Sequence, residues 1–256
     1  MQVDKYITDQ SQFQNTGVAQ VELTASGLPA MSGVDVILVT DFSNSMARPV
    51  VDANNDGKID DNDCPTDFTQ TKMYDLVQER VSTIPEDQRE RAFFLYQYSD
   101  TNLQTSGKLF FGQWWADAIG VKNVAEELST DNSVAVNMEQ IYAWNPSLIF
   151  ITNFTTADEN ALYHNTVGTY NWSVVDAVEN QRVYKMPLGM YRSYTPGVDT
   201  PVTLLWLAKT AYPHLFEDID IIQETKTYYQ EVFGITLTDD QAASIFTPTA
   251  QAGSGF

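Results

Sequence analysis

The chain has 256 residues, of which 43% are hydrophobic and 12% aromatic, enough for one large domain or two smaller lobes with separate cores. Its net charge of −20 repels nucleic-acid phosphates and anionic membrane surfaces, so neither is an expected partner. The single cysteine, Cys64, excludes an internal disulfide. No apolar run reaches the length of about 18 residues that a membrane-spanning helix needs. An export signal, with any lipid anchor, is expected to lie outside the printed sequence.

The front of the chain predicts strands and loops. Residues 1–16 are polar and aperiodic and predict an irregular lead-in. Apolar and polar residues alternate over 18–23, which predicts a half-buried strand. The β-branched run at 34–39 predicts a strand that is buried on both faces.

An Asp-x-Ser-x-Ser motif follows this second predicted strand, at Asp41, Ser43 and Ser45. A carboxylate and two hydroxyls at the carboxyl end of a buried strand can hold Mg²⁺ through oxygen and water. The strand and motif resemble the opening of a von Willebrand factor A-type domain, whose metal-ion-dependent adhesion site has this pattern. The resemblance implies magnesium as a second candidate ion, although the Thr and Asp that this family adds from later loops have no recognisable counterpart here. The alternative is a serine-rich turn that holds no metal.

Residues 52–63 have the spacing of a twelve-residue calcium-binding loop. Calcium prefers about six to eight oxygen ligands, and such loops supply them around a sharp turn at a glycine, here Gly57. The predicted calcium ligands are Asp52, Asn54, Asp56, Lys58 through its backbone carbonyl, Asp60 and Asp63. The loop resembles those of dockerin modules and other extracellular calcium-binding repeats, which implies a structural ion. The alternative is an acidic turn without metal.

The rest of the chain predicts strands separated by helices, which is typical of βαβ units and a mainly parallel sheet. We predict a front region at 1–65, a connecting helix and linker at 66–90, an α/β lobe at 91–246 and a disordered tail at 247–256. The predicted strands of the lobe are 92–98, which is followed by a polar loop, 147–152 and 182–186. The predicted helices are 71–84, one around Trp114 and Trp115, one that ends at Trp144, and those near 157–164, 200–211, 220–232 and 238–245.

Five segments of the lobe, in order, resemble the C-terminal half of the class III solute-binding proteins that serve iron-siderophore, haem and cobalamin ABC importers. They are GQWWADAIGVKNVAEE (112–127), MEQIYAWNPSLIFIT (138–152), WSVVDAVENQRVYKMP (172–187), LLWLAKTAYPHLFEDIDI (204–221) and YYQEVFGITLTDDQA (228–242). The resemblance spans about residues 70–246 and implies the C-terminal lobe of such a protein, an α/β fold with a mainly parallel sheet flanked by helices. Trp144, Trp172 and Trp206 lie within these segments and are assigned to the core.

Open α/β sheets bind ligands beyond the carboxyl ends of their strands. The corresponding positions predict eight ligand-contacting residues, namely Tyr98, Trp114, Trp115, Asn153, Met190, Tyr191, Arg192 and Tyr194. Arg192 can pair with a carboxylate or with the acidic periphery of an iron complex. The aromatic and methionine side chains offer flat or polarisable surfaces. For the aromatic residues, packing in the core is the alternative.

Together these features predict an extracytoplasmic substrate-binding protein that delivers an iron complex, such as a siderophore, haem or cobalamin-like ligand, to an ABC importer permease. The alternative is a calcium-stabilised surface adhesion or interaction module that uses the lobe as a scaffold; a third is a composite without a complete site. No nucleophile elbow, catalytic triad or phosphate-binding glycine loop is recognisable, so we do not expect an enzyme. His164 is expected to cap a helix and His214 to lie on the surface.

If residues 52–63 hold calcium, the chelator EGTA is expected to lower the melting temperature, because an ion bound only by the folded chain stabilises it. Asp56→Ala removes a ligand and should abolish the effect of EGTA, which differential scanning calorimetry can measure. Asn55→Ala changes a non-ligand position of the same loop and should keep it. A wild-type melting temperature that does not respond to EGTA would exclude a stabilising calcium ion.

Overall fold

The computed structural model describes residues 2–7, 21–26 and 72–249. The chain divides into two units, Met1–Asp67 and Phe68–Phe256, and each is described by itself. In this described part of the chain, no helix is both long and apolar enough to cross a membrane.

Both predicted metal motifs lie outside the described residues. They are the Asp-x-Ser-x-Ser motif at Asp41, Ser43 and Ser45 and the loop at 52–63, so calcium and magnesium remain predictions. The strand predicted immediately before the first motif and residues 250–256 of the predicted tail also lie outside.

The described residues of the first unit form an antiparallel pair of strands. Strand β1 is Gln2–Ile7 and β2 is Val21–Ser26, which pair along their whole length. The predicted irregular lead-in is therefore wrong for residues 2–7, and β2 begins three residues later than the predicted strand at 18–23. The physical reason is that pairing with a partner strand supplies the backbone hydrogen bonds, which a polar sequence pattern does not reveal.

The second unit alternates strands and helices, as the sequence predicts. Its described strands are β3 (Arg91–Ser99), β4 (Asn102–Ser106), β5 (Lys122–Asn123), β6 (Ser133–Ala135), β7 (Leu148–Ile151) and β8 (Val183–Lys185). Its described helices are α1 (Lys72–Val81), α2 (Phe111–Ile119), α3 (Met138–Trp144), α4 (Glu159–Tyr163), α5 (Asp176–Glu179), α6 (Thr200–Ala211), α7 (Ile221–Phe233) and α8 (Asp239–Phe246). Single turns of 3₁₀ helix lie at Glu86–Gln88 and Pro213–Leu215.

Six of the described strands form one sheet whose centre is parallel. Strands β3, β7 and β8 lie side by side in parallel, and β5 also pairs in parallel with the start of β3. Strands β4 and β6 extend the sheet from the other side of β3 in antiparallel pairing. The α/β sheet flanked by helices is confirmed, but the polar loop predicted after β3 is wrong at 102–106, where β4 forms. Its pairing partners, and not its own propensity, make this polar segment a strand.

Helices cover both faces of the sheet, because side chains of a strand alternate between faces and each apolar face must be buried. On one face, Phe94 and Phe150 pack into a core shared with α1, α2 and α6. On the opposite face, Phe93, Ile149 and Ile151 pack into a core shared with α3, α4 and α5. All five side chains are fully buried. The sheet is therefore clamped between two helical layers, and the loops at its strand ends are left to form a binding surface.

The core assignment of the three tryptophans is confirmed fully for Trp172 alone. Trp172 is completely buried. Trp144 and Trp206 are half-buried and pack against the two opposite core clusters. Both histidines are exposed, and His164 is the C-cap of α4, as expected.

Helix α3 shows how local sequence sets the boundaries of an element. Asn137 and Gln140 form a reciprocal capping box at its start. Asn145 ends the helix in the left-handed region with φ of 41°, and Pro146 cannot continue it. This break directs the chain into β7 at the centre of the sheet.

Candidate functional site

The carboxyl ends of three parallel strands meet at one edge of the sheet. Leu95 of β3 lies opposite Ile151 of β7, which in turn lies opposite Lys185 of β8. The Thr152 hydroxyl donates to the backbone carbonyl of Tyr96 at 2.6 Å, which places Tyr96 at the same edge. This edge is where open α/β sheets bind their ligands.

Three half-buried aromatic rings lie together at this edge: Tyr96, Phe110 and Phe154, which we call the aromatic platform. The Tyr96 ring stacks on Phe154 with centroids 5.0 Å apart and meets Phe110 edge-on at 5.5 Å. The fully buried Tyr194 ring supports them, with its centroid 6.2 Å from both phenylalanine rings and 5.6 Å from Tyr96. Sequence reasoning missed all three platform residues, although it named their neighbours along the chain.

Arg192 supplies a positive charge beside the aromatic platform. Its guanidinium carbon lies 5.2 Å from the centre of the Phe154 ring, a cation–π contact. Its backbone forms an antiparallel bridge with Leu188, which narrows the loop after β8. Burial raises the pKa of the Tyr96 hydroxyl, Tyr191 adds to the rise and the charge of Arg192 opposes it.

Three of the predicted ligand residues lie on one accessible loop. Met190 is 41% and Tyr191 59% exposed, and they immediately precede the half-buried Arg192. Trp114 has a different environment, since its ring meets that of Trp115 edge-on at 4.7 Å and packs against the core of α1, α2 and α6. The structure thus places Met190, Tyr191 and Arg192 on one loop, with Arg192 against Phe154, and packs Trp114 against the core.

Four of the predicted ligand residues lie inside the lobe. Trp115 is fully buried, and its indole N–H donates to the backbone carbonyl of Tyr194 at 2.8 Å. Asn153 is also buried, and its amide donates to the carbonyl of Met186 at 2.8 Å, which joins the loops after β7 and β8. Tyr98 is buried as well. These four remain predictions as ligand contacts, but their burial favours a supporting role: Trp115, Asn153 and Tyr194 lie beneath the candidate site, and Tyr98 packs on the opposite face of the sheet.

A β-bulge explains the position of Tyr98. The register between β3 and β4 shifts between Leu95 and Gln97, with Tyr96 in the bulge. A bulge adds one residue to a strand and reverses the alternation beyond it, so Tyr96 and Tyr98 pack on opposite faces despite their spacing of two. On its face, the Tyr98 hydroxyl accepts a hydrogen bond from the indole N–H of Trp172 at 2.8 Å.

A buried lysine holds the loop after β7. Lys185 is 4% exposed, and its ammonium donates to the backbone carbonyls of Thr155 at 2.6 Å and Ala157 at 2.7 Å. Its own backbone N–H donates to the Glu159 carboxylate at 2.6 Å. Desolvation lowers the pKa of Lys185 to about 8, and the charges of Glu159 and Asp158 oppose this shift. The lysine therefore fixes the segment that presents part of the aromatic platform.

The arrangement is suited to non-covalent binding. It combines flat aromatic area, an exposed tyrosine and one guanidinium, which together can hold an anionic ligand that has a flat or apolar part. Among the described residues, no three His, Cys, Asp or Glu side chains come together as metal ligands would.

The fold is similar to that of solved solute-binding proteins. A periplasmic solute-binding protein of Veillonella parvula gives a TM-score of 0.61 at 28% identity, over 67% of this chain and 50% of that one. An ABC transporter solute-binding protein of Sulfurospirillum deleyianum gives 0.56 at 24% identity, over 69% and 53%. CeuE of Helicobacter pylori, solved with Ni(II) bound, gives 0.55 at 22% identity, over 68% and 53%.

Among curated proteins, the molybdate-binding protein MolA of Haemophilus influenzae is 26% identical over 174 residues, which are 66% of this chain and 46% of MolA. No protein-family model matches the chain. The chain thus spans about half the length of the relatives it matches. These relatives are named as solute-binding proteins, and the similarity in fold agrees with the resemblance seen in the sequence.

Tyr98→Phe is expected to lower the free energy of unfolding by about 1–3 kcal/mol, because it leaves the buried N–H of Trp172 without its acceptor. Tyr142→Phe is the control: its hydroxyl donates to the Asn171 carbonyl at an exposed position, where water can replace it. Urea unfolding measures both. Equal losses in the two variants would contradict the role assigned to Tyr98.

Lys185 is expected to make stability depend on pH. Its pKa falls from the ordinary value of 10.5 to about 8 on folding, so between these values the folded chain binds fewer protons than the unfolded chain. Below pH 8 Lys185 is protonated in both the folded and the unfolded chain, so the folded chain bears the full free-energy cost of burying the charged ammonium. The free energy of unfolding should therefore rise by about 2 kcal/mol from pH 8 toward pH 10, as urea unfolding can measure.

The matched variants for this test are Lys185→Met and Lys122→Met. Lys185→Met should lose the rise, because no buried ammonium remains to release its proton. Lys122 is 56% exposed and its charge stays hydrated in both states, so Lys122→Met should keep the rise. A rise that persists in Lys185→Met would assign it to another group.

Proposed function

We propose that this chain is a binding lobe of an extracytoplasmic solute-binding protein that delivers a small ligand to the permease of an ABC importer. The observation that carries the proposal is Arg192 held over Phe154, next to the exposed Tyr191, at the carboxyl ends of β3, β7 and β8. An arginine or a group of aromatic rings that served packing alone would not need exposed side chains beside it. Here the charged and aromatic groups lie at the accessible edge of a clamped sheet, where a ligand can reach them.

We propose a metal chelate of the siderophore, haem or cobalamin-like class as the ligand, and among these an anionic iron complex. Such a chelate has flat or apolar area for the aromatic platform and Tyr191, and oxygen acceptors for the guanidinium of Arg192. Molybdate, which MolA binds by its name, is the second candidate because the sequences are similar. A small oxyanion would use the arginine but leave the platform unused, and this favours the larger complex.

The front region adds two further proposals, which rest on sequence alone. Calcium at 52–63 would act as a structural staple, and magnesium at Asp41, Ser43 and Ser45 would be a second ion. An adhesion module that uses the lobe as a scaffold would instead bind a protein or glycan and no iron complex.

Isothermal titration with ferric enterobactin, haemin, cyanocobalamin and sodium molybdate tests the ligand class. We expect ferric enterobactin or haemin to bind, and Arg192→Ala to weaken that binding about tenfold to hundredfold, because a charge-assisted hydrogen bond is lost. Arg89→Ala removes an exposed arginine that precedes β3, at the opposite end of that strand from the platform, and is the control. If only molybdate binds, the ligand class is a small oxyanion and the iron-complex proposal is wrong. The absence of binding by all four probes would reject the solute-binding function.

A further inference from the structure

Asp199 is a buried carboxylate directly behind the ligand-facing loop. It is 7% exposed and occupies the N-cap position of α6. Its side chain nevertheless makes no capping hydrogen bond to that helix. An aspartate at an N-cap usually accepts backbone N–H groups of the first turn, so this carboxylate is committed elsewhere.

The carboxylate of Asp199 accepts hydrogen bonds from the loop that carries the exposed predicted residues. One oxygen accepts the backbone N–H of Met190 at 2.5 Å, and the backbone N–H of Tyr191 lies near enough to lower the pKa of the carboxylate. The other oxygen accepts the hydroxyl of Tyr229 from α7 at 2.7 Å. The loop backbone is therefore joined through one carboxylate to a packed helix.

The approach of loop and carboxylate requires a glycine. A Cβ atom on Gly189 would lie 2.4 Å from Oδ2 of Asp199, closer than any real contact. Burial raises the pKa of Asp199, and the hydrogen bonds from Tyr229, Met190 and Tyr191 lower it. The hydrogen bonds from Met190 and Tyr229 thus stabilise a charge that would be costly to bury without partners.

We propose that Asp199 is a positioning residue of the binding surface. By fixing the backbone N–H groups of Met190 and Tyr191, it sets the direction from which Tyr191 and Arg192 reach the aromatic platform. The inference rests on the proposed function, because it assigns the loop a ligand to meet. It adds a buried residue that touches no ligand and controls the residues that do.

Hydrogen exchange of the unliganded protein tests the anchor without any ligand. In Asp199→Asn, one acceptor oxygen becomes an amide donor, so exchange at the N–H groups of Met190 and Tyr191 should accelerate about tenfold or more. The N–H of Leu188 donates to Ile245 and is an internal reference that should not change. Tyr229→Phe, which removes only the hydroxyl donor, should give a smaller acceleration at the same two positions.

Ferric enterobactin titration then tests the consequence for binding. Asp199→Asn should weaken its affinity about tenfold, and Tyr229→Phe less. Asp220→Ala is the control for stability, because Asp220 also accepts two backbone N–H groups, at Ile222 and Gln223, but as the N-cap of α7, which alanine removes. It should lower the melting temperature and leave the affinity unchanged.

The outcomes separate this inference from the proposed function. Unchanged exchange at Met190 and Tyr191 in Asp199→Asn would overturn the positioning role, whatever the protein binds. The positioning role would also be overturned if exchange accelerates in Asp199→Asn but the affinity of this variant stays at the wild-type value. If Arg192→Ala abolishes binding in the same titrations, the proposed function would then stand. An affinity that falls equally in Asp199→Asn and Asp220→Ala would show that the effect comes from general stability, and this would also overturn the positioning role. If ferric enterobactin does not bind but haemin does, haemin is the probe for the same comparison of variants. If neither binds, the iron-complex proposal fails, and the positioning role falls with it.

Discussion

Two buried charges hold the loops on which the candidate site depends. The ammonium of Lys185 donates hydrogen bonds to two backbone carbonyls of the loop after β7. The carboxylate of Asp199 carries the opposite charge and interacts with backbone N–H groups of the loop after β8. Each charge satisfies backbone groups that would otherwise be costly to bury, and each loop gains a defined shape. The aromatic platform and Arg192 are therefore arranged before a ligand arrives, which reduces the entropy that binding costs.

The clamped sheet gives these loops a firm base. Phe94 and Phe150 fill one core, Ile149 and Ile151 fill the other, and the strand ends are left at the rim. The site combines half-buried rings with exposed Met190 and Tyr191, so it is a surface rather than an enclosed pocket. Ligand pockets bury most of their ligand, and a complete pocket would need a second wall that faces the platform. The chain spans about half the length of the relatives that it matches.

Sequence patterns located most of the lobe but only part of its site. Helix α6 lies at the predicted residues 200–211, and the α3–β7 break falls at the predicted Asn145-Pro146, because helical periodicity, caps and proline act locally. Strand β4 and the bulge at Tyr96 were missed, because both are produced by pairing with neighbouring strands. One extra residue in β3 was enough to place Tyr98 on the opposite face of the sheet from Tyr96.

The sequence by itself determined the class of fold, the order of its helices and central strands, and the loop that contains Met190, Tyr191 and Arg192. These follow from periodicity, chain-local caps and a family resemblance, all of which are properties of short segments. The tertiary structure alone decided which aromatic residues reach the surface, and that Lys185 and Asp199 lie beneath it. Burial, cross-strand register and contacts such as that between Asp199 and Tyr229 join residues distant in the chain. For that reason the predicted ligand residues divide into a smaller exposed group and a supporting layer. The aromatic platform consists of other residues, which the sequence did not single out.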